Sequence, residues 1–115
     1  MYIRIYNVYA TALHLTLMNV SYTLQDIKFE WESNKASSNL NKHGVSFETA
    51  CEAFFDPLFI VVDAGVVEGE QREAVIGMTV NWRLLFVVYV MVDDVVRIIS
   101  ARQVTASERK EYENQ

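Results

Sequence analysis

The spacing of apolar and polar residues predicts a strand and then a short helix near the start of the regular part of the chain. Residues 27–31 alternate with the two-residue period of a half-buried strand. Residues 34–43 have the pattern of a helix, with Ser33 as its candidate N-cap and Gly44 where a left-handed C-cap belongs. Its apolar face is expected to carry Ala36 and Leu40.

A second helix is predicted after Ser46, which has a side chain typical of an N-cap residue. Apolar residues at i, i+3, i+4 and i+7 give this helix one buried face: Phe47, Ala50, Cys51 and Phe54. Asp56-Pro57 is expected to end it, because proline cannot continue a helix.

Four further β-runs follow, at residues 58–63, 73–79, 84–91 and 95–101. Short turns between neighbouring runs predict antiparallel hairpins. Thr105 and Glu108 have the spacing of a capping box, which predicts a last helix at residues 106–113. The order of elements indicates an α+β domain, in which two N-terminal helices and one C-terminal helix pack on an antiparallel sheet.

Residues 1–24 differ from the rest of the chain, because they carry one charged residue, Arg4, and no clean period. A secretory signal is disfavoured, since the apolar stretch is interrupted and no small-residue cleavage site follows. We therefore expect an atypical extension at 1–24, with Met18 as a natural start or with an added edge strand, and a domain at 25–115.

The composition is that of an ordinary globular domain, with 115 residues, 51% hydrophobic and 22% charged. The single cysteine excludes an internal disulfide and fits a reducing cytosol. The net charge of −5 argues mildly against nucleic acid as a ligand, because phosphate neutralisation favours basic surfaces. Four basic residues against one acid between positions 97 and 110 still leave room for a locally basic groove.

The chain lacks a glycine-rich phosphate loop, a nucleophile elbow and metal-ligand spacings. Cleavage of RNA without a metal needs proton transfer from the 2′-hydroxyl, stabilisation of the phosphorane charge and protonation of the leaving 5′-oxygen. Histidine suits the proton transfers and arginine suits the phosphate. The candidates for these tasks are Lys42, His43, Arg72, Arg83, Tyr89, Arg97 and Arg102.

Each candidate also has a structural interpretation. Lys42 and His43 fall in a last helical turn, where cations interact favourably with the helix dipole. Arg97 interrupts a strand of Val and Ile, so it either pairs with a carboxylate or faces a site. Without a bulge, Arg97 and Arg102 point to opposite faces of the sheet. Tyr89 is more typical of a core aromatic than of a catalyst.

Several ordered blocks between residues 27 and 113 resemble the BrnT family of toxins. These blocks are FEWE at 29–32, NKA at 34–36, NLNKHGVSFE at 39–48, FDP at 55–57, E-x-R at 70–72, IGM at 76–78, RLL at 83–85, VVY at 87–89, RIISAR at 97–102 and T-x-x-ER-x-x-YE at 105–113.

The resemblance implies a compact RelE-like fold and a metal-independent endoribonuclease that needs no cofactor and inhibits translation in the cytoplasm. It also implies a BrnA-like ribbon-helix-helix antitoxin, joined in a heterotetramer, that masks the site. By that resemblance RNA is the substrate, DNA is contacted only through the antitoxin, and no membrane is involved.

By the same resemblance, Lys42 and His43 with Arg97 and Arg102 are the catalytic candidates. Further RNA contacts are expected from Arg72, Arg83, Tyr89 and Lys110. The chain departs from the family pattern at Gln103, where many relatives have an arginine, and at residues 90–92, where relatives tend to have Thr-Glu-Arg. A catalytically attenuated, antitoxin-binding corepressor is therefore the alternative function, and an unrelated structural domain is a third.

Overall fold

A computed structural model describes residues 18–115 as an α+β unit of six strands, three α-helices and one short 3-10 helix. In chain order these are β1 (Asn19–Leu24), β2 (Ile27–Glu32), α1 (Ser33–His43), α2 (Phe47–Glu52), the 3-10 helix (Ala53–Phe55), β3 (Ile60–Val67), β4 (Glu70–Met78), β5 (Leu84–Val92), β6 (Val95–Gln103) and α3 (Ala106–Glu113). Among the described helices, none is long and apolar enough to cross a membrane.

The six strands form one mixed sheet in the order β1-β2-β6-β5-β4-β3. All neighbours are antiparallel except β2 and β6, which run parallel and place Phe29 opposite Val96 and Glu30 opposite Arg97. The prediction of a wholly antiparallel sheet was therefore wrong at this one pair. Hairpin neighbours are signalled by local turns, whereas the meeting of β2 with β6 joins segments that are far apart in sequence.

The edge strand considered for residues 1–24 is present as β1, which pairs with β2 over its whole length. Gln25 and Asp26 form the turn with φ angles of 48° and 67°, the left-handed pair that a tight hairpin needs. Residues 1–17, on which the rest of the predicted extension falls, lie outside the described residues.

Most of the predicted helix ends are confirmed. Gly44 has φ of 68° and donates its N–H to Leu40 at 2.9 Å, and Ser46 Oγ accepts the N–H of Thr49 at 3.1 Å. The capping box of Thr105 and Glu108 is complete. Ser33 as an N-cap was wrong, because Ser33 already lies inside α1, where its N–H is bound by Met18 O at 2.9 Å.

The hydrophobic core lies between the sheet and the layer formed by α1, α2 and the 3-10 helix. Aromatic rings join the two layers, with centroid distances of 5.8 Å for Trp31–Phe47 and 5.2 Å for Phe54–Tyr89. Cys51 is fully buried there, and burial, with a smaller effect of Glu48, raises the pKa of its thiol to about 12. This confirms the prediction that Cys51 is a core residue.

Candidate active site

A β-bulge in β6 decides which way its arginines point. Val88 of β5 pairs with Ser100, whereas Tyr89 pairs with Ile98, so Ile99 is an extra residue in β6. The buried residues of β6 are accordingly Val96, Ile98 and Ala101, which face the helices. Since the bulge shifts the alternation by one residue, Arg97 and Arg102 lie on the same face of the sheet, opposite to the helical layer.

The second half of β6 is paired on its outer edge by a helix side chain rather than by a strand. Strand β2 reaches only Val96 and Arg97. Beyond them, the buried amide of Asn39 in α1 donates to Ala101 O at 2.8 Å and accepts the N–H of Ala101 at 3.0 Å. The same amide donates to Val45 O at 3.0 Å. This contact fixes the distance and rotation of α1 relative to the bulge.

The buried residue of α1 is not the predicted one. Leu40 is 50% exposed, so the prediction that it faces the core was wrong, and Asn39 takes that place. The signal was available, because Asn39 lies three residues after Ala36 and therefore on the same face of the helix. An amide at such a position is stable only when its donor and acceptor atoms are all paired.

A groove of about 260 Å³ lies between α1 and the bulge of β6. It is lined from α1 by Lys35, Ser38, Asn39, Lys42 and His43, and from β6 by Ile99 and Ser100. The structure therefore brings together the two predicted residues Lys42 and His43. Lys35 and Ser38 were missed, although positions 35, 38, 39 and 42 have the i, i+3, i+4, i+7 spacing of one helix face.

Arg97 is not among the residues that line this groove; it lies on the open face of β6 and pairs with a neighbouring strand. Its Nη1 donates to Glu30 Oε2 at 2.8 Å, and the two side chains are 33% and 26% exposed. Within residues 18–115 this is the one hydrogen bond that the guanidinium makes. The other guanidinium nitrogens of Arg97 have no hydrogen-bond partner in this part of the chain.

Arg102 is held more firmly. Its Nη1 and Nη2 form a bidentate ion pair with Glu108 at 2.8 and 2.9 Å, and its guanidinium lies 4.2 Å above the ring of Phe86. The hydrogen bond from Arg102 is the main cause that lowers the pKa of Glu108, and the same bond raises the pKa of Arg102. Arg102 thus attaches α3 to the sheet.

The remaining candidates are distributed over three other places. Arg83 donates to Gly44 O at 3.1 Å, which brings it next to His43 at the end of α1. Tyr89 faces the helical layer and donates to Glu73 at 3.0 Å, and burial together with this bond raises its pKa to about 12. Arg72 lies 3.5 Å from Glu70, and Lys110 is exposed on α3.

A comparison with protein-family models gives a match over residues 31–108, more than half of the chain. The matching family is described as "Ribonuclease toxin, BrnT, of type II toxin-antitoxin system". The chain belongs to this family. No curated protein matches the chain.

The BrnT match includes α1, the bulge of β6 and Glu108, and so covers the whole groove and the ion pair between Arg102 and Glu108. Arg97 also lies inside the match, whereas its partner Glu30 lies one residue before it. Strand β1 lies outside it. Membership of a type II toxin–antitoxin family implies an antitoxin partner and a ribonuclease activity.

Chemically, the BrnT groove is a cationic cleft with hydroxyl groups at its wall. Lys35, Lys42 and His43 supply donors from one helix, and Ser38 and Ser100 supply hydroxyls. Such a set can bind a phosphodiester through charge-assisted hydrogen bonds. His43 adds an imidazole, a group that can accept or donate a proton.

Proposed function

We propose that this BrnT-family chain is an endoribonuclease with a RelE-like fold that cleaves RNA without a metal and thereby inhibits translation. The observation that carries the proposal is the groove in which Lys42 and His43 face the bulge at Ser100. A histidine and two lysines along one wall of a cleft match the demands of phosphodiester transfer.

In the proposed reaction the 2′-oxygen of RNA attacks the adjacent phosphorus, and the bond from phosphorus to the 5′-oxygen breaks. His43 takes or supplies a proton, while Lys42 and Arg97 bind the charge that builds up on the phosphorane oxygens. Arg102 can bind the phosphate only when its ion pair with Glu108 is broken. Among the further RNA contacts, Arg83 has the most support, because its hydrogen bond to Gly44 O holds it next to His43.

Arg72 and Lys110 are proposed as outer contacts to the RNA backbone. Tyr89 receives least support, because its hydroxyl is bound to Glu73 on the helix-covered face. The antitoxin is proposed to be BrnA-like, with a ribbon-helix-helix domain that carries all contact with DNA, in a cytoplasmic heterotetramer.

The alternative is an attenuated module that binds the antitoxin and acts only as a corepressor. One observation favours it: both strand arginines are paired with carboxylates, at 2.8 Å from Glu30 and from Glu108. With Gln103 in place of an arginine, fewer cations are free to bind phosphate, which lowers RNA affinity and its dependence on salt.

Controlled expression without antitoxin, followed by cleavage of total RNA by the purified chain, distinguishes the two. If the chain is a ribonuclease, we expect growth arrest and RNA fragmentation. His43→Ala is expected to lower the rate of RNA cleavage about 10²–10⁴-fold, and Lys42→Ala is expected to lower it as well. Lys28→Ala is the matched control, because Lys28 is an exposed lysine of β2 that does not line the groove. Unimpaired growth with soluble, folded chain supports the corepressor instead.

A further inference from the structure

A second and larger cavity, of about 530 Å³, lies on a different part of the molecule. It is bounded by the turn that follows the 3-10 helix, the loop between β4 and β5, the turn between β1 and β2, and Tyr112 of α3. It shares no lining residue with the groove between α1 and β6. The ribonuclease proposal therefore makes no use of it.

The rim of this cavity exposes large apolar side chains. Trp82 is 82% exposed, Val80 is 75% exposed and Leu58 is 59% exposed. Contiguous apolar surface of this kind marks interaction sites in soluble proteins, and tryptophan is enriched among the residues that dominate protein–protein binding.

The backbone of Trp82 adds a second, independent sign. Its φ of 64° lies in the left-handed region, which a bulky residue rarely adopts. Hydrogen bonds impose this conformation, because Trp82 N donates to Thr79 O at 3.0 Å, and Thr79 N donates to Arg83 O at 2.9 Å. The fold thus accepts a strained residue and directs its indole into solvent, which packing alone does not explain.

The charge of the cavity restricts its ligand. Among residues 18–115, its lining contains two carboxylates, Glu52 and Asp56, and no lysine, arginine or histidine. Glu52 accepts the N–H of Val80 at 3.1 Å, so its carboxylate is held beside the exposed loop. An RNA backbone is repelled here, whereas a segment with an apolar side chain next to a cation is attracted.

We propose that this cavity anchors the antitoxin, through a segment that presents an aromatic or aliphatic side chain beside a lysine or arginine. The inference deepens the proposed function and rests on it, because it requires that the chain is a toxin neutralised by an antitoxin. The apolar side chain enters between Trp82, Val80 and Leu58, and the cation pairs with Glu52. A second copy of this acidic chain is a poorer occupant on grounds of charge.

Intrinsic fluorescence tests the proposal on the full chain, because its two tryptophans differ in exposure: Trp31 is 2% exposed and Trp82 is 82% exposed. The purified product of the antitoxin reading frame next to this chain's gene is the probe. Binding is expected to shift the emission to shorter wavelength and to protect Trp82 from acrylamide quenching.

Matched variants then locate the contact. Trp82→Gly suits the positive φ, so it keeps the fold, and is expected to weaken antitoxin binding at least about tenfold. Val66→Ala removes an apolar side chain that is 63% exposed on β3 and is expected to change affinity less than about twofold. Glu52→Gln keeps the hydrogen bond to Val80 but lowers affinity and its salt dependence, whereas Glu48→Gln leaves both unchanged.

Three results overturn the proposal. In the first, the antitoxin binds Trp82→Gly as tightly as it binds the wild-type chain. In the second, acrylamide quenching of Trp82 in the free chain rises only after residues 1–17 are deleted. In the third, acrylamide quenching of Trp82 in the free chain falls as the chain concentration rises. The second result identifies the chain's own segment as the occupant, and the third identifies a second copy. Cleavage of RNA by the free wild-type chain involves no antitoxin and therefore tests the ribonuclease proposal separately.

Discussion

Asn39→Ala removes the side chain that holds α1 against β6. The lost amide leaves three buried backbone groups without partners, namely both polar groups of Ala101 and the carbonyl of Val45. An unpaired buried group costs about 1–3 kcal/mol, so the expected loss of unfolding free energy is about 3–5 kcal/mol once partial entry of water is allowed. Against a total of about 5–15 kcal/mol for a domain, this is a large fraction.

Urea unfolding followed by circular dichroism measures the loss. Asn41→Ala is the matched control, because Asn41 lies exposed on the same helix and alanine is the better helix former there. Its unfolding free energy is expected to stay the same or to rise slightly. Asn39→Asp keeps the shape and the acceptor for Ala101 N–H but turns a carboxylate towards two carbonyls, so it is expected to destabilise at neutral pH.

A loss below about 1 kcal/mol for Asn39→Ala would refute this reasoning. It would mean that α1 is held by its apolar contacts, and that the edge of β6 finds other partners when the amide is absent. The groove between Lys42 and Ser100 would then owe its shape to packing rather than to the Asn39 contact.

Three further predictions concern stability and reactivity. A methyl group at Gly77 would overlap Ala53 O, so Gly77→Ala is expected to lower the free energy of unfolding by about 1–3 kcal/mol, the cost of an overpacked core. The thermal midpoint is expected to fall with it, and an unchanged midpoint contradicts this. Arg102 lowers the pKa of Glu108 below 4.5, so its stabilisation is present above that pH and is lost as pH falls through the lowered value. Unfolding measured against pH is therefore expected to be flatter in Glu108→Gln, and identical profiles would exclude the pair as a source of stability. Burial raises the pKa of Cys51 to about 12, so a thiol reagent at pH 8 is expected to react only in denaturant, and fast reaction of the folded chain contradicts this.

Much of the fold was predictable because its signals are local. Gly44, Ser46 and the pair Thr105 and Glu108 each act on backbone atoms within five residues, and the structure uses each as expected. The hairpins from β3 to β6 are also encoded by turns next to the strands they join. Such features need no knowledge of the distant chain.

The features that shape the candidate site depend instead on contacts between remote segments. The extra residue Ile99 appears only when β5 and β6 are aligned, since no residue type in RIISAR marks a bulge. Asn39 acquires its role from Ala101, 62 residues away. Arg97 likewise finds Glu30 only through the parallel pairing of β2 with β6. None of these three features can be predicted from the pattern of apolar residues along the chain.

The two arginine ion pairs bear on the proposed binding of RNA. Both guanidinium groups are about one-third exposed, and ion pairs at such sites contribute about 0–1 kcal/mol. A phosphodiester offers a guanidinium the same kind of charge-assisted hydrogen bond as a carboxylate, so it can exchange with a pair of this strength. The exchange differs at the two sites, because Arg97 makes a single hydrogen bond within residues 18–115, whereas Glu108 is bound to Thr105 and to both Nη atoms of Arg102. If the proposed function holds, we therefore expect Arg97 to bind RNA before Arg102, which becomes available only when the first turn of α3 moves away.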